Sequence, residues 1–136
     1  VKDEEYMRYA LELAKRAEVE GEVPIGALVV MENRVVGEGW NRPIAGNDPT
    51  AHAEIQAIRS ASSSLGNYRL TGATLYVTLE PCDMCVGAMF HARIARVVYG
   101  ATDPKKTVLK TQFKMESGVL ASECGEILSA FFAAKR

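Results

Sequence analysis

The run Thr74–Leu79 (Thr-Leu-Tyr-Val-Thr-Leu) meets Glu80-Pro81 and is followed at once by Cys82-Asp83-Met84-Cys85. Proline lacks a backbone donor, so it stands at the edge of a strand and at the beginning of a helix, not inside either. A β-branched and aromatic run reads as a strand, so this is a strand-to-helix junction. It carries two thiols three residues apart, on one face of the helix's first turn. A junction of this kind commits the chain to an α/β arrangement.

The remaining periodicities agree. Asp3 to Glu20 reads as an amphipathic helix with Tyr6, Met7, Ala10, Leu11, Leu13, Ala14 and Ala17 at helical spacing and Gly21 as its stop. Ile25 to Met31 suits a strand buried on both faces. Glu32-Asn33 is a turn, and Arg34 to Gly39 returns as the second strand of a hairpin. Asn41 to Asn47 is loop. Asp48-Pro49 looks like a helix start, with Asp48 as N-cap and Pro49 at the first helical position. That helix should run to about Ser63, bury Ala51, Ile55 and Ile58, and break over Ser62 to Gly66. Cys82 to Ala92 is a short helix and Ala95 to Ala101 another strand. Ser122 to Ala134 is the last helix, with Leu128, Phe131 and Phe132 on its apolar side. The expectation is one domain over residues 1–136, three layers deep (α-β-α), around a mixed five-stranded sheet.

Composition removes several function classes. A chain of 136 residues with 48% hydrophobic and 24% charged residues suits one soluble domain with one core. Its net charge of −1 excludes both charge-driven disorder and a basic nucleic-acid coat. The charge is uneven: residues 1–40 carry net −4, residues 41–100 net +1 and residues 101–136 net +2. The C-terminal third holds Lys105, Lys106, Lys110, Lys114, Lys135 and Arg136, which is either a solvated surface or a modest phosphate-facing edge. No apolar run approaches the roughly 20 residues of a membrane helix, and no signal sequence opens the chain. It begins at Val1, so a few N-terminal residues are expected to have been trimmed. An odd count of three cysteines, two of them in Cys-x-x-Cys, argues against a disulfide scaffold and for the reducing cytoplasm.

With three cysteines and two histidines in all, their placement matters. Thr50-Ala51-His52-Ala53-Glu54 lies at the start of the second helix. Neither it nor the Cys-x-x-Cys is specific alone. Together, His52, Cys82 and Cys85 make a good zinc set, and three protein ligands leave a fourth tetrahedral position for water. The helix dipole and free N–H groups at Cys82 and Cys85 should favour thiolate over thiol. A structural site would need a fourth ligand. Only His91 and Cys124 are available, and Cys124 reads as a buried thiol in mid-helix. Glu54, two residues past His52, would overlook the open position and can take a proton from water and deliver it to a leaving group.

His-x-Glu with Pro-Cys-x-x-Cys is the known signature of the zinc-dependent nucleobase deaminases, and the chain resembles that superfamily. Within it, the chain is similar to the bacterial tRNA adenosine deaminases. The phrases that carry the resemblance are Glu22-Val-Pro-Ile-Gly-Ala, Gly39-Trp-Asn-Arg-Pro, Asp48-Pro-Thr-Ala-His-Ala-Glu, Asn67-Tyr-Arg-Leu, Leu75-Tyr-Val-Thr-Leu-Glu-Pro-Cys, Ala92-Arg-Ile and Leu128-Ser-Ala-Phe-Phe. The resemblance implies a cytidine-deaminase-like fold and one zinc per subunit on His52, Cys82 and Cys85, with Glu54 as proton shuttle. It implies conversion of the wobble adenosine of a tRNA anticodon to inosine, a homodimer, and binding of the anticodon stem-loop. Asn41 would hydrogen-bond the flipped nucleotide, Ala53 would join the substrate-binding set, and Asp103 would contact a neighbouring sugar. Phe131 and Phe132 would lie near the anticodon stem and loop, with a helix-core role for one of them left open.

One stretch departs from the family. Lys105 to Glu116 is too short for a helical crossover between parallel strands. Either the chain is shortened there, with Thr107, Leu109, Thr111, Phe113 and Met115 alternating as a strand antiparallel to its neighbour, or a crossover segment is missing after Phe113 and Lys114-Met-Glu ends the last strand. Two further functions share the motif or the zinc: a deaminase of free cytosine, guanine or a nucleoside (or an engineered variant acting on single-stranded DNA), and a zinc-stabilised binding module without catalysis. Glu54 and the three-ligand count argue against the last.

Overall fold

The computed structural model describes residues 2–104 and 114–135. Among them the chain forms α1 (Lys2–Val19), β1 (Gly26–Met31), β2 (Arg34–Trp40), α2 (Ala53–Leu65), β3 (Thr74–Leu79), α3 (Asp83–Ala92), β4 (Arg96–Ala101), β5 (Lys114–Glu116) and α4 (Ala121–Ala134). The sheet is mixed, in the order β2-β1-β3-β4-β5. β1 pairs antiparallel with both β2 and β3, while β3, β4 and β5 run parallel.

Strand alternation sorts the core into two layers. Ala27, Val29, Leu75, Val77 and Val97 face α2 and α3, meeting Ala53, Ala57, Cys85 and Met89. Leu28, Val30, Tyr76 and Val98 face the other way, onto Met7, Ala10 and Leu11 of α1 and Cys124 of α4. β1 is thus buried on both faces, as its unbroken apolar run requires. The hairpin turn has Glu32 and Asn33 both at positive φ, 51° and 61°, the conformation whose twist matches the flanking strands. α1 ends as expected: Gly21 donates to the Glu18 carbonyl at 3.0 Å and Glu22 to the Ala17 carbonyl at 2.9 Å, the two bonds that close a helix through a left-handed residue.

Two expectations are corrected. Asp48-Pro49 does not start the second helix; α2 begins at Ala53, with His52 as its N-cap. The Asp48 carboxylate instead accepts from the Thr50 N–H at 2.9 Å and the Thr50 hydroxyl at 2.7 Å, closing a local side-chain turn that competes with a helix. Ala51 is buried but precedes the helix, and the break comes at Gly66 (φ 64°). The antiparallel reading of the last strand also fails at Met115: Lys114–Glu116 pairs parallel to β4. Thr107, Leu109, Thr111 and Phe113 lie outside the described residues.

α2 sits unusually close to β2 because both present small residues. A Cβ added at Gly39 would lie 2.4 Å from the Ala53 carbonyl oxygen, and one at Gly37 would lie 2.5 Å from that of Ala57. This close approach sets the height of the helix that carries Glu54.

Candidate metal centre

The parallel pairing of β3 and β4 puts their carboxyl ends side by side, where ligand sites in such sheets collect. β3 ends at Leu79, and Cys82 becomes the N-cap of α3 in extended conformation (φ −78°, ψ 170°). His52 is the extended N-cap of α2 (φ −70°, ψ 156°). Neither side chain caps its own helix. Both turn toward each other, and two helix N-termini converge on one spot. The His52 Nδ1 lies 3.6 Å from Cys82 Sγ and 3.5 Å from Cys85 Sγ.

These distances test the fit of a metal. With Zn–S near 2.3 Å and Zn–N near 2.05 Å, a tetrahedral ion spaces its sulfur and nitrogen donors about 3.6 Å apart. All three donor atoms lie within 4.8 Å of one another, so the residues present fit zinc. His91 is exposed in the last turn of α3, and Cys124 is buried in the first turn of α4, not in mid-helix. Burial pushes the Cys124 thiol up to about 12. Among the described residues, the group able to hold a metal is His52, Cys82 and Cys85, which leaves a tetrahedral position open.

The expected helix-dipole bias toward thiolate is outweighed at Cys85. Burial, first, and then the neighbouring Glu54 and Cys82 push its thiol well above the ordinary range. A cation reverses that balance, because a coordinated thiol gives up its proton. Glu54 is 4% exposed, in the first turn of α2, with its carboxylate near the Cys85 thiol.

The other expected residues divide. Asn41 is 8% exposed at the end of β2, and its N–H donates to the Ile25 carbonyl at 3.1 Å. Ala53 is buried beside Glu54. Asp103 follows β4, half-buried, with its N–H on Glu80 Oε1 at 2.8 Å. Sequence reasoning gave Glu80 no role, although a carboxylate at a parallel strand's carboxyl end, just before Pro-Cys, is a recognisable signal. Glu80 ties the loops after β3 and β4 together. Phe131 and Phe132 are not brought to the cluster: α4 packs on the α1 face of the sheet. The two rings meet edge to face at 5.3 Å, and Phe132 is 47% exposed. Neither lines the core, which in α4 ends at Leu128.

A family model for the "cytidine and deoxycytidylate deaminase zinc-binding region" matches residues 1–101, a stretch that holds all three donors and Glu54. The chain belongs to this deaminase family. A tRNA-specific adenosine deaminase of Haemophilus influenzae is 50% identical over 147 aligned positions, covering 98% of this chain and 85% of its own. That alignment is longer than the 136-residue chain, so the relative carries residues with no counterpart here. A solved tRNA:A34 deaminase, studied for A-to-I editing at the wobble position of transfer RNA, is 45% identical with a TM-score of 0.87, over 91% of this chain and 99% of its own. A guanine deaminase from Nitrosomonas europaea superposes equally well, TM-score 0.87 over 96% of this chain and 84% of its own, at 23% identity. That likeness shows the fold alone. The sheet and its helices are thus common ground. The chain is a zinc-binding deaminase.

Proposed function

We propose that this protein hydrolyses the wobble adenosine of a tRNA anticodon to inosine, acting on the anticodon stem-loop as a cytoplasmic homodimer with one zinc per subunit. The observation that carries the reading is the buried Glu54 beside three convergent donors, in a chain half identical to a tRNA-specific adenosine deaminase. No described helix is long and apolar enough to cross a membrane.

His52, Cys82 and Cys85 would hold the zinc, which when bound makes water nucleophilic at neutral pH. Glu54 accepts a proton from water as the new bond to C6 of adenine forms. It hands the proton to the departing nitrogen as the C6–N bond breaks. Water and adenosine become ammonia and inosine. The low exposure of Glu54 keeps bulk water from competing for that proton. Asn41 hydrogen-bonds the flipped nucleotide, Ala53 lines its pocket, Asp103 contacts a neighbouring sugar, and Phe131 and Phe132 meet the stem-loop.

The deciding experiment is an inosine-formation assay on an anticodon stem-loop bearing a wobble adenosine, run beside free adenosine, cytosine and guanine and single-stranded DNA. Turnover of the hairpin is expected. Turnover of a free base without the hairpin would overturn the reading.

A further inference from the structure

We infer that Glu22 is a positioning residue for the RNA substrate, holding the loop between Asn41 and His52 so that Ile44 makes an apolar contact with the bound nucleic acid. The inference rests on the proposed RNA reaction.

Glu22 lies in the turn after α1 and is 2% exposed. Its two carboxylate oxygens take two successive backbone donors from a loop 22 residues away: the Ile44 N–H on Oε1 at 3.2 Å and the Ala45 N–H on Oε2 at 2.7 Å. Burying a carboxylate is costly unless its oxygens are hydrogen-bonded. Each N–H has an oxygen of its own, which a carboxylate supplies and an amide, with one oxygen and one NH2 donor, does not. The residue type is therefore matched to holding this loop, and an apolar side chain of similar size would leave both donors unsatisfied.

The loop is part of the site at both ends. It starts at Asn41, runs back over itself through Gly46 N–H to Arg42 O at 2.8 Å and Asp48 N–H to Pro43 O at 3.1 Å, and ends at the donor His52. The Arg42 N–H on the Ala51 carbonyl at 2.9 Å closes its neck. The turn after α1 grips it a second time, through Glu20 against the Arg42 guanidinium at 3.3 Å. Ile44, whose N–H Glu22 holds, is nevertheless 72% exposed. A large apolar side chain on a clamped backbone, exposed on the loop that joins Asn41 to His52, offers a surface to a base or ribose face.

The test uses the zinc-loaded protein and the wobble-adenosine stem-loop, well below the melting temperature. Glu22→Gln keeps the size and removes one acceptor. It is expected to raise KM about tenfold, the scale of one lost hydrogen bond to a charged group, with a smaller change in kcat and an unchanged zinc content. Ile44→Ala, at an exposed position, should raise KM severalfold with no change in Tm. A lowered Tm for Glu22→Gln with unchanged KM and kcat would make Glu22 merely structural and overturn the inference. Should Glu22→Gln fail to fold, Ile44→Ala decides, and an unchanged KM overturns the inference. Wild-type protein that leaves the stem-loop unreacted would overturn the RNA reaction and this inference with it.

Discussion

Gly39→Ala adds one methyl group to β2, where the new Cβ would stand 2.4 Å from both the Ala53 carbonyl oxygen and the Ala57 nitrogen, and 2.7 Å from Gln56 Cβ. Carbon contacts are comfortable at about 3.5 Å, so strand and helix must separate locally by about 1 Å. The atoms in the way are helix backbone, which cannot rotate aside. Overpacking of this kind costs about 1–3 kcal/mol, or on the order of 5–10 °C in Tm for a chain of this size. The displaced turn is the one that follows His52 and contains Glu54. A misplacement of about 1 Å at reacting groups lowers turnover by about 100-fold. Gly37→Ala is the matched control. It strikes the same helix equally hard, 2.5 Å from the Ala57 carbonyl oxygen and 2.5 Å from the Ala61 nitrogen, but one turn farther from His52. Both variants should lose similar Tm by scanning calorimetry, and Gly39→Ala should lose far more inosine formation per folded molecule. Wild-type turnover by Gly39→Ala at reduced Tm would refute the claim that β2 sets the position of Glu54.

Glu54→Ala should retain zinc and fold while losing turnover by several powers of ten; metal content by emission spectrometry and the inosine assay check this together, and residual wild-type turnover would remove Glu54 from the mechanism. His52→Ala and Cys82→Ser should each lose bound zinc, and a metal content equal to wild type would refute the ligand set. The Asp3 carboxylate accepts from Arg96 at 2.6 and 3.0 Å and from the Tyr76 hydroxyl at 2.6 Å. Hydrogen bonding from Arg96, first, and from Tyr76 lowers its pKa from 3.8 to about 2 against the opposing effect of burial. A carboxyl depressed in the folded state stabilises the protein above its unfolded pKa, and that contribution is lost as the pH falls through the interval from 3.8 to about 2. With solvent screening at this partly exposed pair, about 1 kcal/mol is expected. Asp3→Asn should therefore lower Tm at pH 7 by a gap that shrinks steadily as the pH falls from 3.8 toward about 2, and a gap that keeps its full size over that interval would refute the assignment.

The layers of this fold were legible because apolar periodicity reports them directly: β1 and β3 are buried on both faces, and the α1 stripe from Met7 to Ala17 is the stripe observed. The metal donors were legible because so few soft ligands exist and their spacing matches two helix starts. The true start of α2 was not legible from local propensity. Asp48-Pro49 carries a strong capping signal, and the Asp48 carboxylate does bond a nearby N–H, but it closes a turn. With Asp48 engaged on Thr50, α2 starts at Ala53, and His52 as its N-cap meets two thiols 30 and 33 residues away. Glu22 and Glu80 escaped for the same reason. Each is an acidic residue whose partners are backbone groups more than twenty residues distant, and no periodicity encodes such a bond.

The placement of the donors also bears on what zinc does for stability. In small zinc modules the metal-binding energy is the folding energy, because no core exists without it. Here His52 and Cys82 are N-caps, set in place by α2 and α3 packing on a sheet with apolar layers on both sides. The core that holds α2 and α3 on the sheet is therefore built without the metal. What the metal must overcome is local: the Cys85 thiol, buried near Glu54, holds its proton until a bound cation displaces it to solvent. Zinc uptake should accordingly release protons and strengthen with rising pH, while the far-ultraviolet circular dichroism of chelator-treated protein stays that of the folded chain.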